Sequence, residues 1–63
     1  MKTNYDPAID ALYVRFAETP IQGSEEVAPG LIFGFDAEHR LVAIEVLNAR
    51  SKLTEGTVLE AAQ

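Results

Sequence analysis

Two apolar runs, "LIFGFD" and "LVAIEVL", separated by the four polar residues "AEHR" (residues 31–47), restrict this chain more than any other feature. Both runs alternate with the period of a strand buried on one face, and the polar break has hairpin length. Placing Asp36 opposite Leu41 sets Phe35 against Val42, Phe33 against Ile44 and Leu31 against Val46, and directly opposed residues share a face of the sheet. Each of those three pairs is apolar. A slip of one residue would turn the set toward the wrong face, so the pattern selects its own register. The reverse face pairs Gly34 with Ala43 and Ile32 with Glu45, beside Asp36 with Leu41. Gly34 and Ala43 leave a shallow patch almost free of side chain, ringed by Ile32, Leu41 and Leu47, which either faces water or admits another backbone.

The same parity holds upstream. In "ALYVRF" the residues Leu12, Val14 and Phe16 alternate with Ala11, Tyr13 and Arg15, and pairing this strand with Met1–Tyr5 puts Tyr5 opposite Leu12 across a six-residue loop, Asp6–Ala11. Between the hairpins, "ETPIQGSEEVAPG" carries the turn residues Pro20, Gly23, Pro29 and Gly30. The "SEEV" between them makes a short edge strand whose charges discourage edge-to-edge aggregation. The tail, "SKLTEGTVLEAAQ", is open between a short helix, since Thr57 and Glu60 have capping-box spacing, and an arm onto a neighbour. The expected fold is mainly β, α+β at most: a small antiparallel sheet of two hairpins and a short edge strand, with room for a short C-terminal helix. One domain spans residues 1–63, with a sheet core at 1–49 and a tail at 50–63.

A chain of 63 residues buries only about 60% of the surface its unfolded form exposes. Small cores of this kind usually need a supplement. There is no cysteine, so disulfides and thiolate metal sites are excluded, and His39, the one histidine, cannot assemble a zinc site alone. Self-association or a partner chain remains, and a homo-oligomer is expected. Ten acidic against five basic residues give a formal charge of -5. Such a surface repels phosphate backbones and anionic lipid, which argues against direct nucleic-acid and membrane partners. "MKTNYD" has no apolar segment of signal-peptide kind and no run approaches the ~20 apolar residues of a membrane helix, so a soluble cytoplasmic protein is expected.

The carboxylates are the candidates for chemistry. Asp6 precedes Pro7, a placement that favours an extended Asp6 accepting backbone N–H groups of the next turn. Asp10 is expected to close the same loop by an Asx-type bond. Asp6, Pro7, Asp10, Pro29 and Gly30 are therefore read as turn residues rather than as a site. Glu45 is the one charge within "LVAIEVL" and Arg15 the one charge at the end of its strand, so an ion pair across the sheet or a subunit interface competes with both pointing into water. His39, beside Glu38 and Arg40, reads as a solvated turn residue. Glu25, Glu26 and Asp36 lack the loop spacing of a calcium site, and no phosphate loop, nucleophile elbow or helical metal motif is present. Neither catalytic residues, nor a metal, nor a cofactor is expected from these residue types.

"YDPAIDALYVRF", followed by "SEEVAPGLIFGFD" and "LVAIEVLNA", closely resembles the short bacterial proteins of the domain-of-unknown-function family 2283, from about Met1 to Ala49. That family has glycine in the second hairpin turn where this chain has His39 or Arg40, and glycine where it has Ala43. The first departure implies a different turn type, and the second slightly fills the shallow patch. The resemblance implies a mainly antiparallel sheet without an established activity, encoded beside small toxins, and hence an antitoxin-like role by association. Acidity suits a basic toxin partner through complementary potentials, and equally serves solubility.

Two functional readings follow. The first is a non-enzymatic interaction module or homo-oligomer, binding through Glu25 and Glu26 of the edge and through the face of Ile32, Gly34, Ala43 and Glu45. The alternative is a small enzyme or metal binder whose carboxylate site, from Asp6, Asp10, Glu45 and His39, forms between subunits.

Overall fold

A computed structural model describes residues 1–57 and 59. Its strands are β1 (Lys2–Asp6), β2 (Ala11–Arg15), β3 (Gly23–Ala28), β4 (Leu31–Phe35) and β5 (Leu41–Leu47), followed by a short helix α1 (Ala49–Lys52). They form one open antiparallel sheet of five strands in the order β1-β2-β5-β4-β3. The fold is thus mainly β, built from two hairpins and an edge strand. β5 is the central strand and joins the two hairpins.

In the first hairpin Tyr5 lies opposite Leu12, as the parity argument requires. Pairing continues one step further than expected, to Asp6 with Ala11, which shortens the loop to residues 7–10. β2 then pairs with β5 through Leu12 with Val46 and Val14 with Ile44. Apolar rows thereby run across the sheet on a single face.

In the second hairpin Leu31 opposes Val46, Phe33 opposes Ile44, and Gly34 opposes Ala43. Beyond that point the expected pairs Phe35–Val42 and Asp36–Leu41 do not form. The register shifts and Phe35 pairs with Leu41, so Val42 is the extra residue of a β-bulge. The cause lies in the turn: Asp36 N–H donates to the Arg40 carbonyl at 2.9 Å, and Asp36 Oδ1 accepts the amides of Glu38 at 2.9 Å and Arg40 at 2.8 Å. A turn closed around Asp36 is one residue tighter than a plain four-residue loop, and the bulge absorbs the difference. His39 takes the left-handed conformation there, at φ 62°, and stacks on Phe35 with ring centroids 4.3 Å apart.

The packed face centres on Tyr5, Val46 and Ala49, with Leu12, Leu31, Ile44, Leu53 and Leu59 against them. α1 and the segment after it lie over this end of the sheet. The helix therefore forms at Ala49–Lys52, ahead of the Thr57–Glu60 capping box. Thr57 donates its hydroxyl to the Thr54 carbonyl at 2.6 Å; Glu60 is outside the described residues. The β3–β4 connection is the pair Pro29–Gly30, with Gly30 at φ 75°, the positive φ that suits glycine after proline in a tight turn. No helix among the described residues is long and apolar enough to cross a membrane.

Candidate functional site

Two regions gather polar side chains, one on each side of the sheet. The first surrounds Asp10. Tyr5 points into the packed face and is only 2% exposed, so its hydroxyl needs a partner. It donates to Asp10 Oδ1 at 2.7 Å and accepts from Arg50 Nε at 3.0 Å. Asp10 also takes the Arg50 amide, at 3.2 Å to Oδ1 and 3.3 Å to Oδ2, while its carbonyl takes the Ala49 amide at 2.9 Å. These are the orphan donors of the α1 N-terminus, and Asn48 provides no side-chain cap of its own. Asp10 thus caps a helix forty positions downstream. The hydrogen bond from Arg50 to Tyr5, with Asp10 close by, holds the guanidinium above its ordinary range.

Asp10 therefore departs from expectation: it closes no Asx bond in its own loop but ties that loop to the helix. Its left-handed backbone, at φ 53°, turns the carboxylate toward α1, a conformation aspartate tolerates better than most residues. Asp6 behaves as expected, its Oδ1 accepting the Ala8 amide at 3.0 Å just beyond Pro7. The two carboxylates have separate structural duties and share no partner. A signal for the Asp10 cluster was present in the sequence, since a tyrosine on the apolar parity carries a hydroxyl that must be satisfied. Its partner lay forty-five positions away at Arg50, beyond the reach of local spacing.

The second region is the opposite face. Opposed residues form a row from Tyr13 through Glu45 and Ile32 to Glu26, and a neighbouring row from Arg15 through Ala43 and Gly34 to Ser24. The shallow patch at Gly34 and Ala43 neither faces water nor meets another backbone. Ile21, from the β2–β3 connection, lies over it, and a Cβ added at Gly34 would sit 3.1 Å from Ile21 Cδ1. Ala43 is 2% exposed. Arg15 holds that connection in place: Nε donates to the Ala17 carbonyl at 2.8 Å, and one Nη donates to the Thr19 carbonyl at 2.7 Å. The other Nη donates to the Tyr13 hydroxyl at 3.0 Å. Within the chain Glu45 makes no ion pair with Arg15, so the pairing across the sheet does not form, and both side chains are half-buried rather than free in water.

Beside Ile21 an open hollow of about 150 Å³ is lined by Tyr13, Ser24, Ile32, Gly34, Ala43 and Glu45. Glu26 stands at the end of the Glu45–Ile32 row, its Oε2 accepting the Gly30 amide at 3.0 Å. Glu25, on the same strand, lies opposite Phe33 and belongs to the other face. All of β3 is exposed. The structure thus gathers Ile32, Gly34, Ala43, Glu45 and Glu26 on one face and separates Glu25 from them.

Groups of the alternative carboxylate site are dispersed within the chain. Asp6 is at the end of β1, Asp10 is bound to α1, Glu45 is in the central strand, and His39 is stacked in the distant turn. Among the described residues no group of three or more His, Cys, Asp or Glu side chains is placed to hold a metal ion.

No curated protein and no solved structure matches the chain. A family model described as "Protein of unknown function (DUF2283)" matches residues 2–50, which include all five strands and the helix start at Ala49 and Arg50 that Asp10 caps. The chain therefore belongs to the DUF2283 family.

Proposed function

We propose that this protein is a non-enzymatic protein–protein interaction module that self-associates and presents an acidic face to a basic protein partner. One observation carries the reading. Glu45 and Glu26 flank Ile32 in a single cross-strand row on the face that α1 does not cover, and Glu45 and Ile32 line the hollow beside Ile21. An apolar centre rimmed by carboxylates fits an aliphatic or aromatic anchor with lysine or arginine beside it. The formal charge of -5 steers such a partner from a distance. A small basic toxin, neutralised by an antitoxin of this kind, is the specific form of partner we favour.

The test is isolation of the tagged chain from its own cells, at low and at raised salt, beside a Glu45→Gln/Glu26→Gln variant. A basic protein held in stoichiometric amount by the wild type, released by salt and weakened at least tenfold in the variant, supports the reading. A companion protein indifferent to both changes, or recovery of the chain alone, overturns the partner half of it.

A further inference from the structure

Among the described residues the sheet has two free edges, and they differ in a way that bears on self-association. The Phe16 amide donates to Val42 at 2.8 Å, so on β2 the alternate residues Leu12 and Val14 also point their backbone groups at β5. Ala11, Tyr13 and Arg15 then point at β1, where they meet Asp6, Asn4 and Lys2. Thr3 and Tyr5 are left with their N–H and C=O groups directed outward from the edge. The same alternation on the other side leaves Ser24 and Glu26 outward on β3, because Leu47 donates to Gly30 and Glu25 lies opposite Phe33.

Of these edges only β1 is complementary to itself. A two-fold axis at Asn4 sets Thr3 against Tyr5 of a second copy, and both have their backbone groups free to pair. The same axis sets Lys2 of each copy against Asp6 of the other as non-hydrogen-bonded neighbours, where side chains come closest. Asp6 uses Oδ1 for its own turn at Ala8, which leaves Oδ2 for the lysine. On β3 the equivalent axis at Glu25 sets Glu25 against Glu25 and Glu26 beside Ser24, and the register irregularity between Glu26 and Ala28 interrupts the row. Like charges and a bulge protect that edge.

We infer that two copies join antiparallel along β1 with Asn4 on the two-fold axis, giving one continuous sheet across the dimer. This rests on the self-association half of the proposed function and names its seam. A closed two-fold pairing buries both β1 edges and leaves β3 outward on each copy. The Lys2–Asp6 pairs fix register more than they add affinity, as exposed ion pairs do.

Sedimentation equilibrium of the full chain between micromolar and millimolar concentration tests it, with circular dichroism confirming that each variant folds. Lys2→Glu is expected to raise the dimer dissociation constant at least tenfold, and Lys2→Glu/Asp6→Lys to return it to within about threefold of wild type. Because Asp6 also closes a turn, a second probe is synthetic chain carrying an N-methyl group on Thr3, which removes an outward donor and touches no β2 bond. It is expected to weaken the dimer at least tenfold without shifting the melting temperature of the monomer. A dimer indifferent to these changes overturns the β1 seam and leaves self-association standing. A chain monomeric throughout the range overturns self-association itself, and a mass that keeps growing with concentration points to head-to-tail β1–β3 pairing and overturns the two-fold.

Discussion

Asp10 and Asp36 each close several backbone donors with one carboxylate, and each has a measurable signature. Asp10→Ala removes the α1 cap and strands the buried Tyr5 hydroxyl, an expected loss of about 2 kcal/mol. Asp10→Asn keeps an acceptor and the left-handed backbone, so chemical denaturation should show a smaller loss. Tyr5→Phe removes the hydroxyl alone, about 1 kcal/mol. The two sites share a hydrogen bond, so a double-mutant cycle should show non-additivity, and strict additivity would mean that they act independently. Asp36 behaves differently because its effect is read through pH. The Arg40 amide, the Glu38 amide and the Arg40 side chain outweigh desolvation and hold its carboxyl below the ordinary value. A depressed folded value means that the stability it contributes is complete above the unfolded value, about 3.9, and is lost as pH falls through the lower folded value. Melting temperature below about pH 4 should therefore fall more steeply in wild type than in Asp36→Asn.

At the scale of elements, period and parity made most of the sheet legible. The Tyr5–Leu12 and Phe33–Ile44 pairings follow from which alternation places apolar residues together, and both appear in the structure. The Val42 bulge was hidden because it depends on how the Asp36 carboxylate folds the turn, a side-chain event with no apolar trace. The cover over Gly34 was hidden for a related reason. Ile21 sits in a connection without periodicity, placed by Arg15 reaching the Ala17 and Thr19 carbonyls. A strand glycine ordinarily weakens its strand by about 0.5–1 kcal/mol relative to alanine. Here an added methyl must push Ile21 aside, so Gly34→Ala alone should be close to neutral in a denaturant melt. In an Ile21→Ala background the same change should stabilise by about 0.5–1 kcal/mol. Equal effects in both backgrounds would show that Ile21 does not control the site.

Across the whole molecule, protection is set by position in the order β1-β2-β5-β4-β3. Amide exchange should be slowest in β5, paired on both sides and holding the buried Val42, Ala43 and Val46. It should be fastest among the outward amides of β3, where every residue is exposed; slow exchange there in a monomer would contradict the edge assignment. Central β5 is also the last of the five described strands, and that placement orders events during synthesis. The first hairpin leaves the ribosome with β2 unpaired along one side, and it waits for the residues of β5 before it can join the second hairpin. At roughly 5–20 residues per second, that wait lasts seconds, during which the apolar row of Leu12 and Val14 is uncovered. A nascent chain halted before Leu41 would hold the β1–β2 hairpin and the β3–β4 pair unconnected, and the capping of α1 by Asp10 would be among the last bonds to form.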